Sequence, residues 1–132
     1  MIGFTCGAWD LLHPGHLYFL KECLKKCEHL IVGLHTNPAI DRPLKNTPIQ
    51  SVFERYSQLV SSQVDEIIPY DTEKDLVNMM ATLNIDRRFL GSDYKNKPYT
   101  GEHICVARGI EIIYIDRLHS YSSSELRARL QI

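Results

Sequence analysis

Two periods of apolar and polar residues alternate along this chain. Apolar runs of strand length recur at Ile2-Gly3-Phe4-Thr5, His29 to His35, Val64 to Ile68, Arg88 to Gly91 and Ile110 to Ile115. The His29 to His35 run is continuously apolar within, as in a parallel-sheet strand covered on both faces. Ile110 to Ile115 has strong β propensity. Pro69 is expected to end the third strand. Helical spacing fills the intervals. Pro14 to Cys27 puts Leu17, Leu20, Leu24 and Cys27 on one stripe, with Lys21, Glu22, Lys25 and Lys26 off it. Ile49 to Ser61 places Val52, Tyr56, Leu59 and Val60 inward. Thr72 to Leu83 is a third helix, capped by Asp71 or Thr72, and Thr100 to Arg108 a fourth. Ser122 or Ser123 caps a last helix, Glu125 to Leu130. The longest loop, Thr36 to Pro48, carries three prolines and the cations Arg42 and Lys45.

Strand and helix alternate five times. That order predicts an α/β fold with a single doubly wound, Rossmann-like sheet. Right-handed crossovers give five parallel strands in the order 3-2-1-4-5, with helices on both faces. The first and fourth strands are then neighbours at the switch point, where ligands bind. No repeat or low-complexity tract is visible, so residues 1–132 read as a single domain.

Bulk properties narrow the partners. The chain has 132 residues and a formal charge of −1. A domain of this size buries roughly two-thirds of its unfolded surface and needs no disulfide or metal to fold. Near-neutral charge points to neither nucleic acid nor a membrane surface. No apolar run approaches the ~20 residues of a membrane span. The first strand opens at the initiator Met, which predicts a cytoplasmic protein without a targeting peptide. Four cysteines, Cys6, Cys23, Cys27 and Cys105, are expected as reduced thiols. Cys23 and Cys27 have no second Cys/His pair at zinc spacing.

The chemistry concentrates in Cys6-Gly7-Ala8-Trp9-Asp10-Leu11-Leu12-His13-Pro14-Gly15-His16. It lies between the first strand and the first helix. Gly7 lets the backbone approach a phosphate. Pro14 fits the first helical position. Gly15 removes a side chain at the helix start, where free N–H groups and the dipole attract an anion. His13 and His16 can each donate an N–H to phosphate oxygens, including as a cation near neutral pH. Fixed donors of this kind suit attack on phosphorus, because the transition state spreads negative charge over equatorial oxygens.

With these neighbours, His13-Pro14-Gly15-His16 resembles the HxGH signature of the cytidylyltransferase-like nucleotidyltransferases. The nearest likeness is to glycerol-3-phosphate cytidylyltransferase. The adenylyltransferase domain of the bifunctional heptose-phosphate enzyme is a close rival. Val64 to Pro69 matches the first, and Gly91-Ser92-Asp93-Tyr94-Lys95 is nearer the second. Leu44-Lys45, Thr47-Pro48 and Phe53-Glu54-Arg55 resemble both. Tyr121-Ser122-Ser123-Ser124 stands where the family has Ile-Ser-(Ser/Thr)-Thr. Ala8 replaces a common Thr, Tyr121 an apolar residue, and Ser123 and Ser124 replace Thr. Ser61-Ser62-Gln63 lacks an Arg that the glycerol-phosphate family has shortly before its Val-Asp-Glu.

The resemblance implies CMP transfer from CTP to a phosphorylated alcohol such as glycerol 3-phosphate, with release of pyrophosphate. The alternative is adenylyl transfer from ATP to a sugar or alcohol phosphate. His13, His16, Lys45 and Arg117 would be catalytic. Gly7, Ala8, Trp9, Asp10, Gly15, Asp93, Tyr121, Ser122, Ser123 and Ser124 would bind the nucleotide. Mg²⁺ would ride on the phosphates without a dedicated protein cage, and the protein would form a homodimer. Tyr94 and Tyr99 are candidates for an acceptor pocket. His29, His35 and His103 read as structural, His119 stays open, and Lys74 reads as a surface charge. A reading of another class is a non-catalytic nucleotide-binding regulatory module. A receiver domain would need more acidic residues beside Asp10.

Overall fold

The computed structural model describes residues 1–116 and 128–129. Arg117, His119 and Tyr121 to Ser124 lie outside the described residues, as does most of the expected last helix. The elements are β1 (Ile2–Gly7), α1 (Pro14–Leu24), β2 (His29–His35), α2 (Val52–Ser61) and β3 (Glu66–Tyr70). They continue with α3 (Glu73–Thr82), β4 (Arg87–Gly91), a 3-10 turn (Ser92–Tyr94), α4 (Glu102–Arg108) and β5 (Glu111–Ile115).

All strands pair in parallel in the order β3-β2-β1-β4-β5. This is the expected doubly wound sheet. Side-chain alternation along β2 splits the core in two. Leu30, Val32 and Leu34 join Leu20 and Cys23 of α1 and Leu59 of α2 on one face. Ile31 joins Phe4, Leu76 and Met80 of α3 and Cys105 of α4 on the other. The four cysteines are free thiols. Burial pushes the Cys23 thiol pKa far up, with Cys27 adding to the effect.

Several boundaries and faces differ from expectation. Pro69 lies inside β3, opposite Leu34, instead of ending it. β3 is an edge strand, where a missing ladder donor is tolerated. Asp65 stays outside β3, and its carboxylate accepts the Leu30 N–H at 2.7 Å. α1 ends at Leu24, not Cys27, and Leu17 is 47% exposed. The first turn of α1 stands at the carboxyl edge of the sheet, where the core ends. α2 starts at Val52, not Ile49, because the Ile49 and Gln50 N–H groups are held by Asp10. Ser51 and Glu54 then cap α2 reciprocally. The buried face of α2 carries Arg55 and Leu59, while Tyr56 and Val60 are exposed. Thr72, not Asp71, caps α3 through Asp75 N–H.

Candidate functional site

The site begins where β1 ends. Ala8 to Leu12 must turn back to start α1, and the turn places Trp9 (φ 54°) and Leu11 (φ 51°) in the left-handed region. Such residues cost roughly 1–3 kcal/mol each and persist only where neighbours fix them. The neighbours here are specific. Trp9 Nε1 donates to the Gly33 carbonyl at 3.0 Å, and the ring is buried against His16 and Phe19. Leu11 N–H donates to Gln50 Oε1 at 2.8 Å. Asp10, 3% exposed, accepts from Ile49 and Gln50 N–H, both at 2.9 Å. Arg55 then locks three segments together. Its guanidinium donates to Ala8, His35, Thr36, Gln50 and Ser51 carbonyls at 2.7–3.3 Å. Burial lowers the Arg55 pKa, and Asp10 opposes that shift.

The histidines cap α1 in a reciprocal arrangement. His13 is the N-cap, and its Nδ1 accepts the Gly15 N–H at 3.0 Å. His16 Nδ1 accepts the His13 N–H at 3.3 Å. The rings stack with centroids 3.9 Å apart. A ring that accepts at Nδ1 carries its proton at Nε2. In the neutral form each ring therefore carries its N–H at Nε2. This revises the expected picture of free backbone donors, since the Gly15 N–H already serves His13. A Cβ added at Gly7 would meet only the Trp9 ring, at 3.5 Å or more. Its glycine therefore answers to no steric demand from the fold.

Beside this cap lies a cleft of about 430 Å³ at the carboxyl ends of β1 and β4. Gly7, Ala8, Trp9, Asp10, His16 and Lys45 all line it, as do Tyr94 and Tyr99. His13, 6% exposed, sits behind His16 as its cap partner. Asp93 is exposed in the 3-10 turn and does not line the cleft. Arg42 bridges the long loop to α3 and α4, pairing with Glu73 at 3.2 Å and donating to Thr100 Oγ1 at 3.3 Å. Lys45 is exposed on the same loop.

Sequence reasoning missed two cleft residues. His35, read as structural, is 5% exposed, stacks on Tyr70 at 4.6 Å and has no partner at Nε2. Arg88 is 3% exposed on β4. The signal for both was a charged or polar residue inside an otherwise apolar strand run. Burial pushes the His35 pKa below its ordinary value, against the pull of Glu73. The folded state therefore binds this proton less readily than the unfolded one. His35 costs nothing above its ordinary value of 6.5, and stability falls as pH drops through it. Thermal unfolding from about pH 7.5 to about pH 5.5 should lower the Tm of the wild type more than that of His35→Gln. Parallel curves for the two proteins would remove His35 from the acid sensitivity.

Among the described residues no helix is long and apolar enough to cross a membrane. Known proteins fit this geometry. The cytidylyltransferase-like family model matches residues 4–129. The chain is 36% identical over 132 residues to the bifunctional protein HldE of Hyphomonas neptunium, covering 97% of this chain and 26% of that protein. HldE of Nitrobacter winogradskyi is 33% identical over 130 residues, with the same two coverages of 97% and 26%. The chain thus spans about a quarter of the length of these curated relatives. A lipopolysaccharide core biosynthesis protein from Thermoplasma volcanium superposes with a TM-score of 0.68 at 24% identity, covering 92% of this chain and 98% of that one. Pantothenate synthetase from Thermus thermophilus gives 0.65 at 13% identity, with coverages of 97% and 64%. These two share the fold alone. The family match, together with this strand order and a histidine-capped helix at the switch point, makes the chain a member of the cytidylyltransferase-like nucleotidyltransferases.

Proposed function

We propose that the domain transfers AMP from ATP to a sugar or alcohol phosphate, releasing pyrophosphate. The observation that carries the reading is the His13–His16 cap at the start of α1, whose His16 lines the cleft together with Lys45. An acceptor phosphate oxygen attacks the α-phosphorus in line. The bond from that phosphorus to the pyrophosphate oxygen breaks, and no covalent enzyme intermediate forms. His13 and His16 stabilise the charge on the equatorial oxygens, and Lys45 closes over the phosphates. Gly7, Ala8 and Trp9 offer backbone to the nucleotide, and Gly15 keeps the helix start open. Arg117, Ser122 and Ser123 would hold the β,γ-phosphates, with Tyr121 and Ser124 alongside. Asp93 would approach the base or ribose. Mg²⁺, when bound with the nucleotide, would supply charge neutralisation at the phosphates. Among the described residues no group of three His, Cys, Asp or Glu could hold the ion instead.

ATP is preferred over CTP for two reasons. The curated relatives described above, at 36% and 33% identity, are bifunctional HldE proteins. The Asp93-Tyr94-Lys95 run resembles the adenylyltransferase domain of the bifunctional heptose-phosphate enzyme. CTP with glycerol phosphate is the second reading, favoured by the Val64 to Pro69 segment. Pyrophosphate release with each nucleotide, against a panel of sugar and alcohol phosphates, separates them. Turnover with ATP supports the first reading, and turnover with CTP alone transfers the assignment to the second.

The homodimer remains part of this proposal. Phe53 (78% exposed), Tyr56 (39%) and Val60 (56%) follow one another at helical spacing on the outer face of α2, and Ile49 (57%) is exposed just ahead of that helix. Contiguous exposed apolar side chains of this kind mark association surfaces. Sedimentation equilibrium should find a dimer, and Phe53→Glu with Val60→Glu a monomer of unchanged helix content. A wild type that stays monomeric at high concentration would end this part of the proposal.

A further inference from the structure

Arg88 is a buried cation without an ion-pair partner among the described residues. It is 3% exposed. Nη1 donates to the Thr100 carbonyl and meets Met80 Sδ at 3.3 Å. Nη2 meets the Cys6 thiol at 3.7 Å, the Cys105 thiol also lies beside the guanidinium, and Nε has no partner among the described residues. The Tyr99 ring lies 4.8 Å from the guanidinium carbon and covers its face. Taking an unpaired charge out of water is costly unless something supplies the missing anion.

The surroundings hold this cation at one place. Gly101 has φ +84°, and a Cβ there would stand 2.7 Å from Met80 Sδ and 3.3 Å from Arg88 Nη1. That glycine lets α4 start against the guanidinium. A second unsatisfied group shares the cleft, the buried His35 Nε2 beside Tyr70. Cys6, His35, Tyr70, Arg88 and Tyr99 all line the cleft that Gly7 and His16 also line. The α1 side thus offers capped histidines and Lys45. The α3–α4 side offers a fixed cation, an imidazole and two tyrosines.

We propose that the α3–α4 side of the cleft is the acceptor subsite, with Arg88 binding an oxyanion of the acceptor and His35 Nε2 meeting one of its hydroxyls. The assignment rests on the nucleotidyl-transfer reading and names the half of the cleft that reading left open. A guanidinium suits the task because its donors form a rigid fork matched to phosphate or carboxylate. The oxyanion is the acceptor's reacting phosphate or a carboxylate that the acceptor carries.

The test uses the whole chain saturated with Mg²⁺ and a non-hydrolysable ATP analogue, titrated calorimetrically with inorganic phosphate or with acetate. Phosphate is expected to bind the wild type and to bind Arg88→Met at least tenfold more weakly. The affinity for the ATP analogue should stay within twofold. Arg88→Gln keeps an N–H for the Thr100 carbonyl and gives the same comparison should the Met variant not fold. Acetate binding with the same dependence on Arg88 assigns the oxyanion as a carboxylate. Undiminished anion affinity in the variants, or no binding of either anion to the wild type, overturns the assignment. The readout is independent of turnover. Intact pyrophosphate release with Arg88-independent phosphate binding removes only this subsite. Absent release with Arg88-dependent binding removes only the transfer reading.

Discussion

Replacing His16 with alanine should slow acceptor-dependent pyrophosphate release by about 10²–10³-fold, the usual loss when one fixed donor to a transition-state oxyanion is removed. His16 Nδ1 accepts the His13 N–H, so the neutral ring carries its own N–H at Nε2, and His16 lines the cleft. A donor held before the reaction needs no reorganisation when charge develops. The loss should fall mainly on kcat, because the interaction strengthens in the transition state. The structural part of the substitution is small, since losing one side-chain cap costs about 1 kcal/mol. A Tm within a few degrees of wild type, beside a rate loss of a hundredfold or more, separates chemistry from stability. A rate loss below tenfold would remove His16 from the chemistry.

Arg55→Met is the substitution with the largest expected effect on the fold. Arg55 is 2% exposed, and its guanidinium reaches five backbone carbonyls. They belong to the β1–α1 turn, the end of β2 and the start of α2. Methionine fills much of the same space but removes the guanidinium donors, and of the five acceptors the Ser51 carbonyl keeps the backbone N–H of residue 55 at 3.1 Å. Each buried acceptor so stranded costs about 1–3 kcal/mol, and several lose their donor together. A total loss of about 3–5 kcal/mol is expected, a large part of the stability of an ordinary domain. Urea unfolding should show a lower midpoint with an unchanged slope. The positive-φ residues Trp9 and Leu11 sit on the turn that Arg55 ties through Ala8, so nucleotide affinity should fall as well. A midpoint within error of the wild type would mean that the turn is held by Asp10 and Gln50 alone.

Arg55 also explains where sequence reasoning stopped. The strand–helix alternation was legible because apolar runs and helical stripes are local signals. The α2 face was not. An arginine reads as solvent-facing, so Tyr56 and Val60 were placed inward and the buried side was misphased. Only the five carbonyls, drawn from three distant segments, make burial of Arg55 favourable. Asp10 shows the same limit. The motif marks it as a nucleotide-binding candidate, but nothing local in the sequence shows that its carboxylate also accepts the Ile49 and Gln50 N–H groups ahead of α2. The histidine motif itself was readable as a helix start with donors. Its reciprocal form was not, because a histidine pair in the role usually given to Ser/Thr and Glu has no compositional signature. Arg88 and His35 lie within strand runs whose periodicity gave no reason to single them out. Their lack of partners is visible only when the surrounding atoms are in place.

The most direct measurement of the central claim is a single reaction. The protein, Mg²⁺ and α-labelled ATP are incubated with a panel of sugar and alcohol phosphates. Pyrophosphate and AMP-containing diphosphate are then quantified together. The account predicts equal amounts of the two products, dependent on one class of acceptor and lost in His16→Ala. Nucleotide binding with no pyrophosphate release from either ATP or CTP, with any acceptor, would contradict it and leave a nucleotide-binding regulatory module in its place.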